Sequence, residues 1–137
     1  LTVDLARKEL VKLDDKRVGI LGLAFKPGTD DVRESPAKVI IELLIKENAQ
    51  ILAHDPIAIK NMRENTRHLD IKYSNDLNYV TANVDILILV TSWPEYKNLH
   101  QIPGVTNIPI IDGRRYLNPK NFKKYRGIGR SETLDQK

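Results

Sequence analysis

Residues 18–36, VGILGLAFKPGTDDVRESP, set the reading of the whole chain. The stretch begins with an apolar run, Val18-Gly19-Ile20-Leu21-Gly22-Leu23, short enough for a buried strand. It closes on Ser35-Pro36, a helix start: the Ser hydroxyl suits the N-cap, and Pro suits a first turn whose N–H has no partner anyway. Between them lie Phe25, Lys26, Pro27-Gly28, the acids Asp30 and Asp31, and Arg33. Strand, polar loop, helix opens a βαβ unit, and in an open α/β sheet the loop at a strand's carboxyl end is where ligands bind. This loop carries cations and exceeds the ~2–6 residues of a plain connector.

Working outward, residues 1–13 show a rough helical pattern through Leu1, Val3, Leu5, Ala6, Leu10 and Leu13, with nothing capping the start. The chain also begins at Leu1 rather than Met, so we expect a fragment whose residues 1–14 end a longer helix. Asp14-Asp15-Lys16 turns into a strand over 17–23. A helix over 36–47 buries Val39, Ile40, Leu43 and Leu44, and Asn48 stops it in a left-handed conformation. A strand over 50–54 ends at Asp55-Pro56. A helix over 57–65, a strand over 71–73 and a helix capped by Ser74 or Asn75 follow, the last running to 81 with Leu77 and Val80 inward.

VDILILV, residues 84–90, is the most hydrophobic run and predicts a central parallel strand buried on both faces. A helical turn over 95–99, a strand over 108–112, a short helix after Asn118-Pro119 and an edge strand over 125–129 complete the pattern. Residues 15–130 form the expected domain, with a loose polar tail over 131–137. Alternating strands and helices indicate an α/β fold: a Rossmann-like, doubly wound, mostly parallel sheet with helices on both faces, in order 3-2-1-4-5-6.

A chain of 137 residues with 41% hydrophobic and 29% charged residues fits one globular domain. No apolar run approaches the ~20 residues of a membrane span, and no membrane partner is expected. Cys is absent, which excludes disulfides, thiolate metal sites and a Cys nucleophile from this chain and suggests a cytoplasmic protein. His54, His68 and His100 lack metal-ligand spacing, so no metal is expected. The net charge is +4, and basic residues gather near the end (Arg114, Arg115, Lys120, Lys123, Lys124, Arg126, Arg130), but no basic helix or RNA-type aromatic motif accompanies them. Nucleic acid is therefore not the expected partner.

Topology brings the ends of the strands at 17–23, 84–90 and 108–112 to one edge. Lys26 and Arg114 thus converge on one crevice near the helix start at Pro36, a plausible diphosphate site. Gly19-Ile20-Leu21-Gly22 lacks Gly-x-Gly-x-x-Gly spacing, so Lys26 stands where a glycine cradle would be. Close strand–helix packing is the preferred reading of Gly19 and Gly22. Asp55 reads as a turn residue before Pro56, with a ribose contact as the alternative. Trp93 reads as packing, with base stacking as the alternative. Arg33 reads as a partner of Asp30 or Asp31, and Arg115 points away from Arg114. No Ser-His-Asp or Cys-His set can be assembled, so no catalytic residue is assigned.

At GLAFKPGTDDVRESP the chain resembles the nucleotide-sugar dehydrogenases, and DLARKEL, AHDP, VDILILVTSWPEY, IDGRRYLNP and YRGIGR agree in order. The resemblance covers nearly the whole chain and implies the C-terminal, UDP-binding domain of such an enzyme. It implies an NAD-dependent, four-electron oxidation of a sugar C6 alcohol through a thiohemiacetal and thioester on a Cys outside this chain. NAD would be bound mainly by an N-terminal domain that is also outside it, and the full-length protein would be a homodimer. By resemblance Phe25, Lys26 and Arg114 contact the UDP-sugar, and Arg33 reaches NAD. UDP-glucose is the substrate favoured by Thr91-Ser92-Trp93-Pro94-Glu95 and Arg114-Arg115. UDP-N-acetylmannosamine or UDP-N-acetylglucosamine oxidation, or a stand-alone nucleotide-binding regulatory module, are the alternatives.

Overall fold

The computed structural model describes residues 2–10 and 12–128. The expected tail, Gly129 of the last expected strand and Leu1 of the first helix lie outside the described residues. In order come α1 (Thr2–Leu10), β1 (Arg17–Leu21), α2 (Pro36–Lys46), β2 (Gln50–His54), α3 (Ile59–Asn65), β3 (Ile71–Tyr73), α4 (Leu77–Ala82), β4 (Ile86–Leu89), β5 (Ile110–Asp112) and β6 (Tyr125–Gly127). Three 3₁₀ segments, Pro94–Gln101, Val105–Asn107 and Pro119–Asn121, fill the connections around β5.

The strands form a single six-stranded sheet in order β3-β2-β1-β4-β5-β6, and every pairing is parallel. The expected order is therefore found, and the sheet is wholly rather than mostly parallel. β1 is the pivot: Leu21 pairs with His54 of β2 on one side and with Leu89 of β4 on the other. The strand order reverses between β1 and β4, which makes their carboxyl ends the topological switch point. All four residues of β4 are fully buried, as a strand covered on both faces requires. α1 packs against α2, β4 and β5 through Val3, Leu5 and Ala6. It is further tied down by ion pairs from Arg7 to Glu47 and from Arg126 to Glu9.

Ser35 caps α2 as expected, its hydroxyl accepting the Ala37 N–H at 3.1 Å, and Asn48 takes the left-handed conformation with φ 64°. The buried face of α2 meets the expectation in part: Leu44 is buried and Ile40 half-buried against the core, but Val39 and Leu43 are not. Ala37, Ile41 and Leu44 point inward, while Val39 and Leu43 are 58% and 45% exposed. Apolar residues run almost unbroken from Val39 to Ile45, so several faces of this helix look equally hydrophobic, and each residue turns the helix by ~100°. Ala37, Ile41 and Leu44 share a face by i, i+4, i+7 spacing, and the small Ala37 allows close approach to the sheet. The cap of α4 is neither Ser74 nor Asn75 but Asp76, whose Oδ1 accepts the N–H groups of Asn78 and Tyr79 at 3.0 and 3.3 Å. Ser74 in turn accepts the Asp76 N–H.

Candidate functional site

Three loops meet at the switch point: residues 22–35 after β1, residues 55–58 after β2 and the segment leaving β4. Asp55 joins them. It is 1% exposed, and its carboxylate accepts five N–H groups. Oδ2 takes the backbone N–H of Leu23 (2.7 Å) and Ala24 (3.0 Å) and the indole N–H of Trp93 (2.9 Å). Oδ1 takes the backbone N–H of Ile57 (2.9 Å) and Ala58 (2.8 Å). These last two bonds fold 55–58 into a turn, which is why α3 begins at Ile59 and not at Ile57. The turn reading of Asp55 is thus met and extended, and the carboxylate has no free edge for a ribose. Trp93 is buried with its N–H committed to Asp55, in keeping with the packing reading.

Gly22 lets the first loop cross the end of β4. Its φ is +99°, and a Cβ there would lie 2.5 Å from the backbone nitrogen of Thr91. The close neighbours of Gly19 and Gly22 therefore belong to β4 and the residues flanking it, Val84 to Thr91, and not to a helix as expected. Thr91 also donates its hydroxyl to the carbonyl of Ala24 at 2.5 Å. Phe25 and Lys26 follow directly from this clamp.

Arg114 comes to the same place from β5. Buried Asp112 turns the chain, its Oδ1 accepting the Arg114 N–H at 3.0 Å and its Oδ2 accepting from Leu117 N–H and Tyr125 hydroxyl, each at 2.8 Å. The Arg114 guanidinium donates to the carbonyl of Val90 at 3.0 Å and, more weakly at 3.5 Å, to that of Phe25. Phe25 is half-buried, and the exposed Lys26 has its Nζ 5.4 Å from the Phe25 ring centroid. The structure thus brings together Phe25, Lys26 and Arg114, with one cation locked to the backbone and the other on a free stem. Such a pair over the carboxyl edge of a parallel sheet suits an anionic ligand.

The family model for the UDP binding domain of the UDP-glucose/GDP-mannose dehydrogenase family matches residues 19–119. The chain belongs to this family, as its UDP-binding domain. UDP-glucose 6-dehydrogenase AglM of Haloferax volcanii is 39% identical over 127 residues, covering 92% of this chain and 29% of that protein. The UDP-glucose 6-dehydrogenase of Pseudomonas aeruginosa is 32% identical over 126 residues, covering 84% of this chain and 28% of that protein. Among solved structures, a UDP-glucose dehydrogenase from Pyrobaculum islandicum superposes with a TM-score of 0.82 at 33% identity, over 92% of this chain and 28% of that one. The chain therefore spans under a third of the length of the relatives it matches.

Within this UDP-binding domain the Arg33 side chain is engaged with Asp31, whose carbonyl accepts the Phe25 N–H at 3.0 Å. Arg33 makes a bidentate pair with Asp31, Nε to Oδ1 at 3.0 Å and Nη2 to Oδ2 at 2.8 Å, and its own N–H also reaches Oδ1. Of the two expected partners, Asp31 is the one used; Asp30 contributes its carbonyl to the Asn61 amide. Hydrogen bonds from the Arg33 side chain and backbone hold the Asp31 carboxyl down at about 2. The Arg33 side chain is 82% exposed and lines an open cleft of about 440 Å³ with Thr29, Asp30 and Asn61. Arg115, at φ 51°, lies against Gly127 and so points away from Arg114 as expected.

Two features of the domain escaped the sequence reading. One is Asp112, read only as the last residue of a strand and found as a buried acceptor for three donors. The other is the buried pair His54 and Tyr96, with Nδ1 2.8 Å from the hydroxyl. Burial pushes the His54 imidazole down and the Tyr96 hydroxyl up. Among the described residues no group of three or more His, Asp or Glu is placed to hold a metal ion, and no helix is long and apolar enough to cross a membrane.

Proposed function

We propose that this chain is the C-terminal, UDP-sugar-binding part of an NAD-dependent UDP-glucose 6-dehydrogenase that converts UDP-glucose to UDP-glucuronate. The observation that carries this reading is the Arg114 guanidinium bonded to the Val90 carbonyl and reaching that of Phe25, beside Lys26, in a chain matching the family's UDP-binding domain. In this reading Lys26 and Arg114 neutralise the diphosphate and Phe25 packs against the sugar nucleotide. Fixing the ligand between a backbone-locked and an exposed cation holds the C6 alcohol toward reacting groups supplied outside these residues.

NAD, when bound, accepts the hydride. The residues here do not fit a whole dinucleotide: the glycine spacing is absent and the Asp55 carboxylate is saturated. Arg33, exposed at the far end of the loop, fits a single cofactor contact across an interdomain cleft. α1 is then the end of a connecting helix, and the full-length protein is a cytoplasmic homodimer.

UDP-glucose is preferred as substrate because relatives above 30% identity carry that name. A UDP-D-ManNAc dehydrogenase from Pyrococcus horikoshii is also similar, with a TM-score of 0.71 at 28% identity, so the acetamido sugars form the second reading. The test is turnover by the full-length protein with NAD and either UDP-glucose or UDP-N-acetylmannosamine. Reduction of NAD with UDP-glucose supports the reading, and reduction with the acetamido sugar alone replaces it with the second. The 137-residue chain by itself should give no turnover.

A further inference from the structure

On the other side of the switch point, at the carboxyl edge of β2 and β3, lies an open cleft of about 540 Å³ walled by α3. Its volume falls in the ~300–1,000 Å³ range of small-molecule sites. It shares neither Lys26, Arg33 nor Arg114 with the loops described above. We propose that this cleft is a second, separate site, and that it takes a nucleoside monophosphate.

The charge of the cleft points to a phosphate. Lys60 and Arg63 line it from one face of α3, three residues apart. Among the described residues neither has a carboxylate within ion-pair distance. The one carboxylate in the wall, Asp55, is 1% exposed and turned onto five N–H groups of the protein itself.

The remaining walls point to a flat organic group on that phosphate. The Arg63 guanidinium lies 5.0 Å above the Tyr73 ring. Tyr73 is held in turn, its hydroxyl 2.9 Å from that of Thr66, which donates to the Met62 carbonyl at 2.6 Å. A guanidinium supported in this way presents a planar surface on which a base can stack. Ile57, 52% exposed, adds an apolar surface, and Asn75 adds polar groups that can meet a base edge.

The lining limits the ligand to a single phosphate: its cations are Lys60 and Arg63, and it includes neither Lys26 nor Arg114, the pair assigned above to a diphosphate. The Asp55 carboxylate is taken up by the protein's own N–H groups. Base and phosphate are thus left to the Tyr73, Ile57, Lys60 and Arg63 surfaces. The proposal stands independently of the UDP-sugar reading.

The test is an amide NMR titration of the 137-residue chain with AMP, ribose 5-phosphate and inorganic phosphate in parallel. AMP is expected to shift the amides of 57–63 and 73–75, saturating at least tenfold below either other probe. The double variant Lys60→Ala/Arg63→Ala should weaken AMP at least tenfold while keeping a dispersed spectrum, since both side chains lie outside the core. Lys26→Ala should leave AMP binding unchanged. The proposal is overturned if millimolar AMP produces no shift or if the shifts map to 25–33 and 114. It is equally overturned if phosphate or ribose 5-phosphate binds as well as AMP.

Discussion

Replacing Asp55 with Asn keeps the shape of the side chain and turns one acceptor oxygen into a donor. If the new NH₂ faces Leu23, Ala24 and Trp93, three hydrogen bonds are lost; if it faces Ile57 and Ala58, two are lost. The second orientation is the cheaper. Ile57 is exposed and its N–H can turn to water, whereas Ala58 is fully buried and its N–H is stranded. A buried orphan donor costs about 1–3 kcal/mol, and the three remaining bonds lose the charge assistance that makes ionic hydrogen bonds about twice as strong as neutral ones. The expected loss is about 3 kcal/mol for Asp55→Asn and about 5 kcal/mol or more for Asp55→Ala, against a total domain stability of about 5–15 kcal/mol. Urea denaturation of the 137-residue chain measures both, and the Trp93 indole N–H resonance reports the local contact. Since Leu23 and Ala24 lead directly into Phe25-Lys26, the amides of 23–26 should shift in the Asn variant. A destabilisation within the ~0.5 kcal/mol typical of surface changes, with the indole resonance unmoved, would refute Asp55 as the joint of the three loops.

Gly22→Ala is expected to cost at least ~2 kcal/mol, read as a lowered thermal midpoint, because it adds left-handed strain to a steric clash at Thr91. Ser35→Ala should cost ~0.5–2 kcal/mol by denaturant midpoint, since the Ala37 N–H loses its cap. Carbon-13 titration of the Asp31 carboxyl should give a midpoint of about 2, rising to the ordinary ~3.9 in Arg33→Ala. Because this carboxyl is depressed in the folded chain, its contribution is present above the ordinary carboxylate range and lost as pH falls through about 2.

The fold was legible where the chain changes character abruptly. Gln50–His54 and Ile71–Tyr73 are flanked by turn residues on both sides, and their strands coincide with the expected limits. Where apolar residues run on without a break, as in α2, hydrophobicity alone could not choose the buried face, and tertiary packing decided it. The convergence of Arg114 on the loop after β1 was legible because both follow β-strands in one parallel sheet. The bonds of Asp55 to Leu23, Ala24 and Trp93, beyond its expected turn, and the role of Asp112 were hidden for the opposite reason. The partners of both residues are mostly backbone N–H groups, which carry no side-chain signature, and those of Asp55 come from segments up to 38 residues away. The Asp31–Arg33 pair lies within two residues and was readable from spacing, although spacing left Asp30 equally eligible.

Isothermal titration of UDP into the 137-residue chain tests the central claim most directly, with Lys26→Ala, Arg114→Ala and Arg33→Ala measured alongside. Removing one partner of a charge-assisted contact costs about 1.5–3 kcal/mol, or roughly 10- to 150-fold in affinity. Lys26→Ala and Arg114→Ala should each weaken UDP by that factor, while Arg33→Ala, whose guanidinium is engaged with Asp31, leaves UDP binding unchanged. Folded chain that binds no UDP, or that binds it equally well without Lys26 and Arg114, would contradict the account.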